Sequence, residues 1–134
     1  FIRKPLEKMY VQKYAERLQI KMHNANAACA NLSGGNQQKV AVAKALNADP
    51  QIIILDEPTR GIDVKTKADI HRLMSELACK GKSVLMVSSE LPEVLGMSDR
   101  VIVLHEGVMT GILDRSEATP DKVMALAIGT TMGE

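Results

Sequence analysis

Apolar residues recur along this chain with two different periods, and the switches between them predict the order of its elements. Leu6, Met9, Tyr10, Tyr14 and Leu18 fall three or four residues apart, the spacing that lines one face of an α-helix. Together with Lys13 they give residues 5–20 a helical reading with a partly apolar face. The run of Asn, Ala and His from Met22 to Asn31 carries neither period and reads as irregular. Helical spacing returns over Gly34 to Ala48, behind Ser33, a residue type suited to the N-cap. Ala41, Ala43 and Ala45 on that helix leave room for close packing.

Asp49-Pro50 breaks the pattern, and the continuous apolar run Ile52 to Leu55 predicts a buried parallel strand. Val64 to Lys80 is again helical, with Ile70, Leu73, Met74, Leu77 and Ala78 on one stripe and Gly81 where a C-terminal cap belongs. Ser83 to Val87 predicts a second buried strand, and Glu90 to Met97 a short helix with Pro92 in its first turn. Val101 to Leu104 and Val108 to Leu113 flank His105-Glu106-Gly107, a strand–turn–strand signal. A last helix is expected over residues 120–128, with a frayed tail after it. Strands alternating with helices predict a three-layer α/β arrangement.

Composition narrows the picture modestly. With 134 residues, 46% hydrophobic and 25% charged, the chain has the make-up of an ordinary globular protein and room for one domain or part of one. A net charge of +1 gives no reason to expect nucleic acid or an anionic membrane as a general electrostatic partner. Aromatic residues make up only 2%, which argues against a base-stacking platform. No apolar run approaches the roughly 18 to 20 residues that span a bilayer. Cys29 and Cys79 form no metal-ligand pattern and are expected as buried free thiols. His23, His71 and His105 show no ligand spacing, and solvated positions are expected for His71 and His105.

The chemistry-bearing residues cluster in two short strings. Leu32-Ser33-Gly34-Gly35-Asn36-Gln37-Gln38-Lys39 places a hydroxyl and two glycines at a predicted helix start. Unpaired N–H groups and the positive dipole end attract anions there, and glycines let the backbone come close to a phosphate. A bare Ser-Gly-Gly could equally be a cap and a turn. The second string, Ile52-Ile53-Ile54-Leu55-Asp56-Glu57-Pro58, is a strand ending on two adjacent carboxylates. Ligands of open α/β sheets bind beyond the carboxyl ends of strands. Asp56 there could orient Mg²⁺ through its water shell, and Glu57 could take a proton from an attacking water. The same pair could be an ordinary solvated strand end.

The two strings in this order and spacing resemble the ATP-binding-cassette (ABC) ATPases. That resemblance implies the fold class: the C-terminal part of an ABC-type P-loop NTPase domain, with a parallel-sheet core, helices on both faces and part of a helical subdomain. Residues 1–48 would be part of that subdomain and residues 49–134 part of the ATPase core. It implies ATP and Mg²⁺ as cofactors, with Ser33, Gly34, Gly35 and Asn36 as the signature that meets the γ-phosphate held by an opposing domain. Asn36 stands where most of the family has Gln. Asp56 would serve the metal and Glu57 would be the catalytic base. Gly61-Ile62-Asp63 would be the loop that crosses the domain interface, and Asp63 would also suit an N-cap. Ser89 occupies the position of the family's switch histidine and could instead cap the helix that follows it. No G-x-x-x-x-G-K-S/T loop occurs, so the chain is expected to be a carboxy-terminal piece of a longer protein and inactive alone.

Longer strings, Leu55 to Val64 and Val87 to Arg100, narrow the resemblance to the second ATPase half of tandem bacterial monosaccharide importers of the ribose, galactose and xylose type. The implied partners are the first nucleotide-binding domain of the same chain, a membrane permease and, indirectly, a sugar-binding protein. The implied location is peripheral, on the cytoplasmic face of the inner membrane. Self-association of the piece is also expected, through an uncovered sheet edge. A soluble ABC ATPase clamping nucleic acid or the ribosome is the competing expectation.

Overall fold

A computed structural model describes residues 4–129, which fall into two compact units, up to Met86 and from Val87 on. In the first unit, α1 (Lys4–Arg17) is followed by a short helical turn at Cys29–Asn31 and by α2 (Gly34–Leu46). Strand β1 (Ile52–Asp56), helix α3 (Val64–Cys79) and strand β2 (Ser83–Val87) then form a β-α-β crossover. The N–H of Ser83 donates to the carbonyl of Gln51 at 2.9 Å, so the two strands start side by side and run parallel. Lys82 ties the same end, its Nζ donating to Asp49 Oδ1 and to the Pro50 carbonyl at 2.7 Å each. That lysine holds the Asp49 carboxyl below the usual carboxylate range.

Helix α3 is the most strongly patterned element, and the fold follows its pattern. Ile70, Leu73, Met74 and Leu77 are all buried on one stripe. Gly81 sits beyond its end at φ +79°, the left-handed conformation that glycine adopts without a Cβ clash. Three side-chain links bind the helices of this unit. Tyr14 Oη donates to the Leu46 carbonyl at 3.0 Å, Arg17 meets Glu76 at 3.9 Å, and Lys39 meets Asp69 at 2.8 Å. α1 itself contributes no buried residue. Its Tyr10 and Tyr14 line an open apolar groove of about 660 Å³ with Ile20, Met22, Leu32 and Val40.

The strands depart from expectation in one respect. β1 buries Ile53 and Leu55 but leaves Ile52 and Ile54 at 66% and 67% exposure, and β2 buries no residue fully. The apolar run is continuous because the sequence suits cover on both faces, whereas the described residues cover β1 on one. Cys29 and Cys79 are exposed, not buried.

The second unit comprises α4 (Leu91–Met97), β3 (Arg100–His105), β4 (Val108–Asp114) and α5 (Pro120–Ala127). β3 and β4 pair antiparallel, Val101 opposite Leu113 and His105 opposite Val108, with a bulge after Val103. Glu106 and Gly107 at φ +48° and +80° close a two-residue turn whose twist matches the strands. Val101, Val103, Leu113, Val123 and Leu126 form the core, with Leu91, Val94 and Leu95 packed against it. His105 is not simply solvated: its Nδ1 lies 2.8 Å from the Ala127 carbonyl. A carbonyl only accepts, so that nitrogen carries the proton. The tail expected after α5 lies largely outside the described residues. No described helix is long and apolar enough to cross a membrane.

Candidate functional site

The start of α2 is built around hydrogen bonds that leave its first turn open. Ser33 occupies the N-cap with φ −60° and ψ 154°, yet its hydroxyl makes no capping bond to the helix backbone. The hydroxyl instead accepts from Asn36 Nδ2 at 2.9 Å, while Asn36 Oδ1 accepts from the Lys21 N–H at 2.9 Å. Gln37 closes the loop from the other side, its Nε2 donating to the Leu32 carbonyl at 2.8 Å and its N–H to the Ser33 carbonyl at 2.9 Å. The N–H groups of Gly34, Gly35 and Asn36 therefore stand without an acceptor among the described residues. Three such donors at the positive end of a 13-residue helix form an anion-binding arrangement.

The two glycines serve different ends. A Cβ on Gly34 would meet nothing within 4 Å, so no described residue fills that space. A Cβ on Gly35 would come within 2.9 Å of Thr66 Oγ1 and 3.3 Å of Thr66 Cβ. Thr66 is buried in the first turn of α3, so α2 reaches α3 only because Gly35 has no side chain. Gly35→Ala is expected to force the helices apart and lower the melting temperature, whereas Gly34→Ala leaves it unchanged or slightly higher. Thermal unfolding of the two variants checks the difference.

Thr66 also joins Asp63 to this assembly. Asp63 caps α3, its carboxylate accepting from the Thr66 N–H at 3.0 Å and from the Thr66 hydroxyl at 2.8 Å. These bonds, the backbone one first, hold its carboxyl below the ordinary carboxylate range. A depressed folded-state pKa gives stability that is fully present above about pH 4 and lost as pH falls through the lower, folded value. Asp63→Ala is therefore expected to be less stable than the parent chain at neutral pH. The gap should close in acid below about pH 4, as urea unfolding across pH would show. One turn further along both helices, buried Lys39 pairs with Asp69, which Arg72 also meets at 3.1 Å. The Ser33–Asn36 segment and Asp63 are thus fixed to one another through Gly35, Thr66, Lys39 and Asp69.

Asp56 and Glu57 lie at the carboxyl end of β1. Asp56 is exposed, and its carboxylate makes no hydrogen bond or ion pair among the described residues. A hard, free carboxylate of this kind suits a water-shelled Mg²⁺, which takes few protein ligands. Glu57 is half-buried at φ +46°, a backbone conformation that costs a non-glycine residue about 1 kcal/mol or more. It is held there by buried Pro58 and Thr59 and by a turn in which the Arg60 N–H donates to the Glu57 carbonyl at 3.2 Å. Nothing in a glutamate signals positive φ, so this conformation is not legible from residue type. No group of three or more His, Cys, Asp or Glu among the described residues could hold a metal directly.

Ser89 belongs to the second unit and is exposed. It does not cap α4: Glu90 holds the N-cap, and the Glu90 N–H is accepted by Ser88 Oγ at 3.0 Å. The Ser88 hydroxyl in turn donates to the buried Glu93 carboxylate.

A parallel β-α-β crossover with an open helix start and a strand ending on paired carboxylates is an arrangement suited to a phosphate group and its metal. Residues 4–60 match the ABC transporter family model, and the fold of the chain is similar to that of ATP-binding cassettes of known structure. Among these are a dimeric cassette in a post-hydrolysis state bound to ADP and Pi (TM-score 0.75, 28% identity, 86% of this chain and 50% of that one). Another cassette of an ABC transporter aligns over 96% of this chain and 53% of its own, with a TM-score of 0.77 and 26% identity. In sequence, the chain is 51% identical over 129 residues to a ribose import ATP-binding protein of Bacillus licheniformis, covering 96% of this chain and 26% of that one. It is 60% identical over 116 residues to a Rhizobium meliloti protein provisionally named ribose/galactose/methyl galactoside import ATP-binding protein 2, covering 87% of this chain and 23% of that one. The chain thus spans about a quarter of the length of these relatives.

Proposed function

We propose that this chain is the signature-bearing part of the second nucleotide-binding half of an importer ATPase, one that energises uptake of a simple sugar through a membrane permease. The observation that carries the reading is the open start of α2: three N–H groups without acceptors, a Ser33 hydroxyl not used for capping, and space at Gly34 that no described residue fills. These groups suit the γ-phosphate of an ATP held by the first half of the same protein. The naming of similar proteins as ribose or ribose/galactose importers supports the sugar.

Within the chain's own half, Asp56 would hold the Mg²⁺ that accompanies ATP, which supplies charge neutralisation at the phosphates when bound. Glu57 would accept the proton of the attacking water, and Asp63 would lie at the interface between halves. Ser89 replaces the histidine that would sense the phosphate, so this second site binds ATP and holds the interface closed more than it hydrolyses. Residues 1–48 would belong to the helical subdomain and residues 49–134 to the ATPase core. The working place is peripheral, at the cytoplasmic face of a bacterial inner membrane, beside the permease and, indirectly, a sugar-binding protein. Without a P-loop in the chain, residues 1–134 alone turn over negligible ATP.

Gly34→Ala in the full-length protein tests the phosphate reading. It keeps the fold, because nothing lies within 4 Å of the added methyl, but intrudes where the phosphate must approach. Steady-state ATP turnover should fall at least about tenfold with the melting temperature kept. Normal turnover would contradict the reading.

A further inference from the structure

We infer that Asn36 is a positioning residue that directs the hydrogen of the Ser33 hydroxyl toward the phosphate; the inference rests on the proposed contact between Ser33 and ATP. The polarity of this hydrogen-bond chain is set at Lys21. Its backbone N–H lies 2.9 Å from one end of the Asn36 amide, and a backbone N–H can only donate. That end of the amide is therefore the oxygen, and the other end, 2.9 Å from Ser33 Oγ, is the NH₂ group. An NH₂ group only donates, so Ser33 Oγ must accept from it.

With a lone pair so occupied, the hydroxyl hydrogen is directed away from Asn36. The hydroxyl finds no other partner among the described residues, since it makes no capping bond. Its hydrogen is left free to donate beside the three open N–H groups of the first turn. The loop through Lys21, 15 residues upstream of Asn36, sets this polarity by fixing the amide. Preorganised donors are worth more than groups that must reorient when charge develops. On this view Asn36 acts through Ser33 and needs no contact of its own with ATP.

The test is a double-mutant cycle on ATP turnover by the full-length protein with its permease. Asn36→Ala frees the hydroxyl rotor and should lower kcat roughly fivefold, about one hydrogen bond's worth, with KM for ATP little changed. In a Ser33→Ala background the same change should cost nothing further. Equal fractional losses in both backgrounds, or no loss in either, overturn the role of Asn36. Full turnover in Ser33→Ala alone overturns the phosphate contact itself, and this inference with it. If Asn36→Ala unfolds early, Asn36→Asp keeps the Lys21 bond and the shape of the side chain. It offers Ser33 an acceptor in place of a donor, so it must lose more than Asn36→Ala is expected to lose. Wild-type kcat in Asn36→Asp also overturns the inference.

Discussion

Replacing Ser33 by arginine in the full-length protein is expected to cut ATP turnover by about a hundredfold or more. Three effects converge on that position. The change removes the hydroxyl that Asn36 orients. It also fills the open space at Gly34 with a long side chain. Finally, it brings a guanidinium over three first-turn N–H groups whose value lies in their fixed placement. An added positive charge does not repel nucleotide, so the loss should be in kcat, with ATP binding by the protein retained. Equilibrium binding of ATP alongside steady-state turnover separates the two. Loss of binding together with turnover would mean that the arginine disrupts the fold instead.

The largest effect on stability is expected at Ile70. It is 1% exposed on the apolar stripe of α3, among the most fully buried side chains of the described residues. Ile70→Ala removes three carbons from a packed core and should cost about 3 kcal/mol, through lost transfer free energy and a residual cavity. Against total stabilities of roughly 5–15 kcal/mol this is a large fraction. The midpoint of urea unfolding of the 134-residue chain should fall by about 1–2 M with the slope unchanged. Ile54→Ala provides the contrast, because the same atoms are deleted from a side chain that is 67% exposed. Its expected cost is within about 0.5 kcal/mol. A cost near that of Ile70→Ala would show that the open face of β1 is covered in solution.

Much of this architecture can be read from local pattern alone. The stripe on α3, the glycine at its end and the Asp63 cap all follow from neighbours within one or two helical turns, and each is where the sequence places it. The Glu106-Gly107 turn is similarly local. What escapes a sequence reading depends on partners far along the chain. Ser33 has the residue type of a helix cap, but Asn36, held by Lys21, takes its hydroxyl. The need for glycine at position 35 comes from Thr66, on another helix. At Ser88-Ser89 the two serines are chemically equivalent, and only the backbone path decides that Ser88 receives the Glu90 N–H. The one-sided burial of β1 was equally hidden. An apolar run states what a strand can bury, not what is present to cover it.

One side-by-side experiment addresses the proposed asymmetry between the two nucleotide sites: steady-state ATP turnover by the full-length protein carrying either Ser33→Arg or Glu57→Gln. If this half serves chiefly as signature donor to the other half's ATP, Ser33→Arg abolishes turnover while Glu57→Gln keeps most of it. Turnover abolished equally by both changes would contradict that division of labour, and would make Glu57 a working base despite the serine at position 89.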